Sequence, residues 1–358
     1  MTAACAGLVA GLVGGAAVVG IWQLARGDDS AGAAAQECDV EHIADTVLPS
    51  VVTLHVRGEQ GQGTGSGVVV QAPLPGADAP SPTPGDGAFI VTNEHVVGPA
   101  GTHGKVAVTF SDGSTSPGRV VGADATTDLA AVVVDGLASH APPVGVGKSR
   151  DLRVGRRVVA LGAPLGLSST VTAGIVSATD RYVRVPSASG AAHHLVGAIQ
   201  TDASINPGNS GGALVDCSGD LVGINSAGAS PPGDNGSVGL NFAIPSSLFG
   251  PLATELFASG RVQHPTLGMQ VAAIPPEAAQ RSGTSPGLLV QAVDPGGPAR
   301  RAGVQPGDVV VEVDGKPVRV PDDLTQLELG LDIGTAVDVV VERSGQSHTV
   351  SLTPVPAG

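Results

Sequence analysis

The sequence has few aromatic residues, few cysteines and few basic residues, and each shortage excludes a class of protein. The 358 residues include one Trp, one Tyr and five Phe, and 18 Lys and Arg against 32 Asp and Glu give a net charge of −14. Such a chain lacks the basic surface and the stacking rings of a nucleic-acid-binding protein. Three cysteines are too few for a disulfide framework or a cysteine-based zinc site. Charged residues, at 14%, are too few for a coiled coil.

Apolar residues are abundant, and they occur in short runs that are typical of β-strands. They make up 42% of a chain whose length predicts two domains. Between Val51 and Ile244 these runs are β-branched and separated by Gly, Pro, Asp and Ser, which predicts an all-β barrel or sandwich. Helical patterns are confined to Glu41–Leu48 and Ser246–Ser259. The predicted strands are Val51–Val56, Gly67–Gln71, Ala88–Thr92, Lys105–Phe110, Leu129–Val134, Arg157–Ala160, Thr170–Ser177, Gly197–Thr201, Gly212–Val215, Leu221–Asn225 and Asn241–Ile244.

The amino-terminal segment Ala3–Leu24 has no charged side chain and is almost wholly apolar. A run of about 20 such residues spans the hydrocarbon core of a bilayer, and Trp22 at its end suits the membrane interface. The segment predicts a transmembrane anchor over residues 1–26, followed by a linker over residues 27–38. Two alternatives remain open. For a cleaved secretory signal the run is long and lacks a basic start, and for a buried core helix it is too uniformly apolar.

Three residues far apart in the chain stand where catalytic groups are commonly found. His95 follows a predicted strand, Asp128 precedes a buried one, and Ser210 lies in a glycine-rich loop. A serine hydroxyl becomes nucleophilic when an imidazole takes its proton, and a carboxylate holds that imidazole in one tautomer. The chain order His, Asp, Ser is that of chymotrypsin. Taken singly, the residues are typical of a surface histidine, a strand cap and a turn; together they predict a catalytic triad.

The segments around these residues resemble the active-site motifs of the HtrA (Deg) serine proteases. The similarity extends from about Val47 to the C-terminus. It implies a mainly β protein in which a chymotrypsin-like double β-barrel of Greek-key topology, over residues 39–260, is followed by a PDZ domain over residues 261–358. The segments that carry the resemblance are Thr92–Val97, Asp128–Val132, Gly162–Gly166, Thr170–Ser177 and Gly208–Gly212.

The resemblance also implies a role for individual residues of the triad and its loop. Ser210 is expected to attack the scissile carbonyl carbon, His95 to act as general base and then general acid, and Asp128 to orient His95. The backbone amides of Gly208 and Ser210 are expected to form the oxyanion hole. No cofactor is implied. The histidines show no metal-ligand spacing, so no metal site is predicted.

Substrate selection and regulation are implied at three further positions. Ile205 and Ile224 are expected to line the primary specificity pocket, and because both are aliphatic, small apolar side chains are expected before the cut. Arg181 lies near the position of the family's sensor-loop arginine, which couples activation to the pocket. The loop from Arg181 to Leu195 looks long in this sequence.

The carboxyl-terminal part resembles a PDZ domain in two segments. The run Pro298–Asp308 is similar to the PDZ signature, and Leu267, Gly268 and Met269 belong to a segment that is similar to its carboxylate-binding loop. In this mode a peptide adds a strand to the sheet after Met269, and loop amides hold its terminal carboxylate. The alternative is a packing module without a ligand. The predicted elements are Gly287–Val293, Pro298–Ala302, Val309–Val313, Pro321–Leu329, Val337–Glu342 and His348–Leu352.

Two of the three cysteines are candidates for a disulfide. Cys38 and Cys217 lie outside the apolar leader, and an exported protein meets an oxidising compartment. Two free thiols are the alternative. Cys5 lies in the predicted anchor and is expected to be unpaired.

The sequence as a whole predicts a serine endopeptidase held in the cell membrane by residues 3–24, with its catalytic domain outside the cytoplasm. By the resemblance it is expected to form a homotrimer, to cleave unfolded or signalling polypeptides and to bind C-terminal peptides at the PDZ domain. Nucleic acid is not an expected partner. The alternatives are a chaperone-like or peptide-binding scaffold with silent protease activity and a structural membrane adaptor.

Overall fold

The computed structural model of the chain describes residues 38–58, 61–71, 87–101, 104–135, 141–163, 169–186, 192–228 and 237–357. Met1–Asp39 and Val40–Gly358 are separate compact units. The predicted anchor, the linker up to residue 37 and most of the proline-rich stretch between residues 71 and 87 lie outside the described residues. Within the described ranges, no helix has both the length and the apolar character needed to cross a bilayer.

Helix α1 (Val40–Val47) and a 3-10 turn lead into the first of two barrels, a closed antiparallel barrel of six strands. Its strands are paired in the order β1-β2-β3-β6-β5-β4, and β4 closes the barrel on β1. The valines and alanines of β6 are buried along its whole length, as expected for a strand that faces packed side chains on both sides. The strands are β1 (Val51–Gly58), β2 (Gly61–Val70), β3 (Ala88–Thr92), β4 (Lys105–Thr109), β5 (Thr115–Asp124) and β6 (Leu129–Val134).

A second closed barrel of six strands repeats this topology. Its order, β7-β8-β9-β12-β11-β10 with β10 closing on β7, matches the first barrel strand for strand. The strands are β7 (Arg157–Gly162), β8 (Thr170–Pro186), β9 (Ala192–Thr201), β10 (Ala213–Val215), β11 (Leu221–Gly228) and β12 (Asn241–Pro245).

The predicted strands of both barrels are confirmed, with differences at their ends and one omission. Strand β5 was not predicted because its sequence contains Pro117 and Gly118 and its side chains alternate irregularly between buried and exposed. Strands β8 and β9 extend to Pro186 and from Ala192, so most of the predicted long loop from Arg181 to Leu195 is a paired hairpin. The expectation of a loop there was wrong because bulges in β8 obscure its period-two pattern.

Helix α3 (Ser246–Ser259) joins the second barrel to the first. Its last turn places the ring of Phe257 edge-on against Phe89 of β3, with ring centroids 5.0 Å apart. The helix ends at Gly260, whose φ of 75° is the left-handed conformation that closes many helices. Such an edge-to-face pair adds to the packing between barrel and helix.

The remaining chain forms the expected smaller module around its own apolar core. A sheet of order β14-β15-β16-β18-β19, with β17 paired to β16, is accompanied by the short pair β13-β20. The elements are β13 (Pro265–Thr266), β14 (Met269–Ala273), α4 (Pro276–Ser282), β15 (Leu288–Val293), α5 (Pro298–Arg301), β16 (Val309–Val313), β17 (Lys316–Pro317), α6 (Pro321–Glu328), β18 (Val337–Arg343), β19 (Gln346–Leu352) and β20 (Val355–Pro356). The elements predicted in this region are confirmed to within a few residues at their ends.

Two hydrogen-bonded carboxylates hold this module together and tie it to the first barrel. Asp308 is buried and accepts two hydrogen bonds from the guanidinium of Arg343, both at 2.7 Å. His264, in the segment before β13, contacts Asp124 at the end of β5, with 2.9 Å between Nε2 and Oδ1. Burial raises the pKa of Asp124, but the hydrogen bond and charge of His264 and the hydrogen bonds of Thr127 and Thr126 outweigh it, so the pKa lies below its usual value.

We expect Phe257→Ala to lower the free energy of unfolding by about 3 kcal/mol, because it removes a buried ring and leaves a cavity against Phe89. Val154→Ala, at an exposed apolar residue, is the control and is expected to change it by less than about 0.5 kcal/mol. Urea denaturation followed by circular dichroism measures both values. Equal stabilities of the two variants would contradict a structural role for the ring pair.

Candidate active site

His95 is placed by the short helix α2 (Glu94–Val97), which starts directly after β3. The first amides of a helix have no partner within it, and here Asp128 accepts two of them. The amide of Glu94 donates to the Asp128 carbonyl oxygen at 3.2 Å, and the amide of His95 donates to Asp128 Oδ1 at 3.1 Å. Asn93 Nδ2 donates to the same carbonyl oxygen at 2.9 Å. The helix that carries His95 is therefore fixed to Asp128.

The imidazole of His95 faces the carboxylate of Asp128. His95 Nδ1 lies 2.9 Å from Oδ1 and 3.0 Å from Oδ2, so Nδ1 donates and Nε2 is left free to accept a proton. The His95 side chain is 39% exposed, so Nε2 is accessible to a substrate. Burial disfavours the imidazolium, but the hydrogen bond and charge of Asp128, with the charge of Glu94, outweigh it and raise the pKa of His95.

Asp128 is a buried carboxylate held in an uncommon backbone conformation. Its φ is 60°, in the left-handed region that few non-glycine residues adopt and that is enriched at functional sites. Burial alone would raise its pKa. The hydrogen bond and charge of His95, the hydrogen bond of Ser226 and the charge of His193 outweigh burial and hold the pKa of Asp128 below its usual value. The carboxylate is therefore ionised at neutral pH.

Ser210 lies in a tight turn before β10 that depends on glycine. Gly211 has a φ of 82°, and a Cβ atom built there would lie 2.1 Å from the carbonyl oxygen of Ser66 and 2.3 Å from Thr92 Oγ1. No other residue type fits this close approach between the two barrels. The amide of Gly211 donates to the carbonyl oxygen of Asn225 at 2.8 Å, which fixes the turn to β11.

Ser226 on β11 connects the serine to the carboxylate, and sequence reasoning missed it. Its hydroxyl donates to Asp128 Oδ2 at 2.7 Å, and its carbonyl oxygen accepts the Ser210 hydroxyl at 2.9 Å. Among the described residues this carbonyl is the one hydrogen-bond partner of Ser210 Oγ, so the hydroxyl does not point at His95 in this conformation. Polar residues at the end of the apolar strand Leu221–Gly228 were the available sequence signal.

The two amides assigned to an oxyanion hole lie in the same turn as Ser210. Gly208 has a φ of 97°, and its carbonyl oxygen accepts a hydrogen bond of 2.6 Å from Ser66 Oγ. Within the described part of the chain, the amides of Gly208 and Ser210 have no hydrogen-bond partner. Two amides without partners beside the serine hydroxyl are the arrangement that stabilises a developing oxyanion.

The contacts of Ile205, Ile224 and Arg181 do not by themselves assign the roles that the resemblance implies for these residues. Ile205 and Ile224 are buried, and Ile205 packs within the apolar core of the second barrel, so their role in a specificity pocket stays a prediction. Arg181 lies in β8 rather than in a loop, and its Nε donates to Gln200 Oε1 at 3.2 Å. Its regulatory role also stays a prediction.

Cys38 and Cys217 are both disulfide-bonded.

A second histidine lies behind the triad; its adjacency to His194 favoured a loop over a metal site in the sequence, but it lies on a strand. His193 on β9 is buried, and its Nε2 is 3.8 Å from Glu94 Oε2 and 3.9 Å from Asp128 Oδ1. Burial raises the pKa of Glu94, the nearby Asp128 adds to this effect, and the charges of His193 and His95 oppose it. Residues 94, 128 and 193 are far apart in sequence, so no spacing rule could find this cluster.

The loop before β14 is already hydrogen-bonded to a carboxylate, that of Glu328 in helix α6. The amide of Leu267 donates to Glu328 Oε1 at 2.7 Å, and the amide of Gly268 donates to Thr266 Oγ1 at 3.0 Å. Gly268 adopts a φ of 72° and Met269 begins β14, as a loop of this kind requires. Glu328 ends helix α6, and burial raises the pKa of its carboxyl despite the hydrogen bonds from Leu267 and Thr266. A peptide carboxylate must therefore compete with Glu328 for the Leu267 amide.

Comparison with protein families finds two matches. The family described as "Trypsin-like peptidase domain" matches residues 65–224, and the family described as "PDZ domain" matches residues 265–353. The first match contains His95, Asp128 and Ser210, and the second contains the loop around Gly268.

Individual relatives agree with this division. Serine protease PepD of Mycobacterium tuberculosis is 39% identical over 327 residues, which cover 88% of this chain and 65% of the relative. Serine protease Do-like HtrB of Bacillus subtilis is 38% identical over 280 residues, covering 75% of this chain and 59% of the relative. The chain thus spans less than two thirds of these curated relatives. The solved structure "HtrA-type protease AlgW with decapeptide" has a TM-score of 0.67 and 30% identity, covering 89% of this chain and 99% of that one.

The geometry predicts how the reactivity of Ser210 depends on pH. Only the neutral imidazole can take the serine proton, so labelling of Ser210 by a fluorophosphonate probe should fall as pH drops through the pKa of His95. Because that pKa is raised, the midpoint is expected above 6.5, the ordinary value for histidine. Asp128→Asn removes the charge that raises it, so the midpoint should move down and the rate should fall by orders of magnitude. A labelling rate that is flat between about pH 5 and 8 would contradict this role of His95.

Proposed function

Since the chain belongs to the HtrA family of serine proteases, we propose that it is an extracytoplasmic serine endopeptidase that cleaves unfolded or signalling polypeptides. The observation that carries the proposal is the ionised Asp128 paired with His95 beside Ser210 in its glycine turn. Relatives named as serine proteases support it. These names do not favour a chaperone-like scaffold with silent protease activity.

The proposed reaction is acyl transfer through a serine ester. Ser210 Oγ attacks the peptide carbonyl carbon while His95 Nε2 takes its proton, and Asp128 stabilises the resulting imidazolium. The amides of Gly208 and Ser210 hold the oxyanion. When the C–N bond breaks, His95 gives the proton to the leaving amine. A water molecule then attacks the ester, again with His95 as base, and the acid product leaves.

The orientation of the Ser210 hydroxyl is that of an inactive conformation of the proposed active site. Its hydroxyl is bonded to the Ser226 carbonyl oxygen, so it must turn from that acceptor toward His95 Nε2 before reaction. Losing one neutral hydrogen bond costs about 1 kcal/mol, which a bound substrate can offset. We propose that Ile205 and Ile224 favour small apolar side chains before the cut and that Arg181 takes part in activation.

The proposal assigns residues 39–260 to the protease domain and 261–358 to a PDZ domain that binds C-terminal peptides. Peptide binding is supported by the PDZ family match and by a similar structure described with a decapeptide. From the family resemblance we further propose a homotrimer, anchored in the cell membrane by residues 3–24 within a leader over residues 1–26. The DegP-like relative of Halomonas elongata is named a probable periplasmic endoprotease, which supports a location outside the cytoplasm.

Ser210→Ala is expected to abolish proteolysis of an unfolded protein substrate and to leave the fold intact, because it removes the nucleophile and adds no volume. Cleavage is measured by gel electrophoresis and folding by circular dichroism. Ser218→Ala, at an exposed serine after the same loop, is the matched control and should retain activity. Full cleavage by the Ser210 variant would remove this residue from the mechanism.

Glu328→Ala is expected to raise the affinity for a peptide with a free C-terminal carboxylate by about tenfold, since it frees the Leu267 amide and removes a repelling charge; one charge-assisted hydrogen bond is worth about 1.5 to 3 kcal/mol. Fluorescence anisotropy with a labelled peptide measures the change. Asp332→Ala removes an equal charge at an exposed position and should have little effect. If Glu328→Ala binds as weakly as the parent, the Leu267 amide is not part of the carboxylate site.

A further inference from the structure

The buried histidine behind the triad has one ring nitrogen satisfied and one aimed at two carboxylates. His193 is 3% exposed, and its Nδ1 lies 2.6 Å from the carbonyl oxygen of Ala125. A carbonyl oxygen only accepts, so Nδ1 carries the proton and the lone pair of the neutral ring is on Nε2. Metal-ligating histidines are commonly fixed in this way, with the other ring nitrogen donating to a backbone carbonyl.

The surroundings of Nε2 contain acceptors and no hydrogen-bond donor within the described residues. Nε2 is buried without a hydrogen-bond partner. Glu94 Oε2 and Asp128 Oδ1 lie 3.8 and 3.9 Å from it, and one donor atom from each of these three residues lies within 4.8 Å of the other two. When the ring is neutral, its lone pair faces two carboxylates in a buried site, which is electrostatically unfavourable; a proton or a metal ion on Nε2 removes this repulsion.

We propose that Glu94, Asp128 and His193 bind a zinc ion that reversibly inhibits the proposed protease. One imidazole nitrogen and two carboxylate oxygens are ligands that zinc accepts, and three protein ligands leave a position for water. The charge of the ion balances the two carboxylates. Glu94 is 22% exposed, so its side chain provides an entry path and can move toward the other two ligands, as zinc bonds of about 2 Å require. The inhibitory part of this inference rests on the proposed function; the metal site does not.

Inhibition follows from the shared ligand Asp128. Its Oδ1 accepts hydrogen bonds from the amide and from Nδ1 of His95. An ion on Oδ1 withdraws negative charge from that contact, and its own positive charge disfavours the imidazolium that must form when Ser210 gives up its proton. Zinc at this site therefore lowers the turnover rate more than it weakens substrate binding.

Direct binding tests the site without reference to activity. The full-length Ser210→Ala protein is titrated with cobalt(II), whose visible absorption reports ligand number and symmetry, and with zinc(II) by calorimetry. We expect one site with tetrahedral cobalt absorption. Adding His193→Gln or Glu94→Gln should weaken binding at least about tenfold, since even outer partners of a metal ligand contribute 10-fold to 100-fold. His348→Gln, at an exposed histidine on β19, should leave this site unchanged.

Turnover of a peptide substrate tests the inhibition. Zinc should lower kcat of the parent enzyme and EDTA should restore it, and Glu94→Gln, scaled to its own metal-free rate, should need at least about ten times more zinc. Equal inhibition of the parent and of Glu94→Gln would overturn the proposal, because zinc would then act elsewhere. Absence of the cobalt signal would overturn it as well, since the cluster would then hold a proton on His193 Nε2. Absence of turnover in every sample, with the cobalt signal present, would overturn the proposed function but not the site.

Discussion

The proposed chemistry depends on one buried negative charge, the carboxylate of Asp128. A buried charge is stable only when hydrogen bonds replace the water it has lost. Here the imidazole of His95, the amide of the same residue and the hydroxyl of Ser226 replace that water. Two of these donors belong to the start of helix α2 and the third to strand β11. The requirement to satisfy one carboxylate therefore also fixes the positions of the His95 ring and of the strand beside Ser210.

The two barrels contribute unequally to this arrangement. The first barrel supplies His95 from helix α2 after β3 and Asp128 from the turn before the neighbouring β6, and the second supplies Ser210 and Ser226. A direct backbone contact crosses between them: the amide of Ser66 donates to the carbonyl oxygen of Ser210 at 2.9 Å. The seam between the barrels has no room for a side chain at position 211, and Ser66 Oγ also donates to the carbonyl oxygen of Gly208, so close polar contacts fix the registry of the barrels. Such registry is rigid, which suits a site in which a proton moves over short distances.

The barrels, the module after them and the residues His95, Asp128 and Ser210 could be predicted from the sequence, because each is marked by a local sequence pattern. Strand patterns mark β3 and β6, and glycines mark the Ser210 turn. Sequence reasoning missed Ser226, His193 and Glu328, whose roles depend on pairing between distant strands and helices. It also missed the orientation of the Ser210 hydroxyl, since a side-chain torsion is set by competing acceptors within hydrogen-bond reach. Local patterns predict elements well, but contacts between elements need the three-dimensional registry.

The hydrogen bond between His264 and Asp124 links the carboxyl-terminal module to the turn that carries Asp128. Asp124 also receives the amides of Thr126 and Thr127, so one carboxylate organises the turn that presents Asp128 in its strained conformation. The segment leading into the carboxyl-terminal module is thus hydrogen-bonded to a residue four positions before Asp128. A displacement of His264 would therefore change the energy of the turn that carries Asp128, and by linkage a change in that turn would act on His264 with the same coupling free energy.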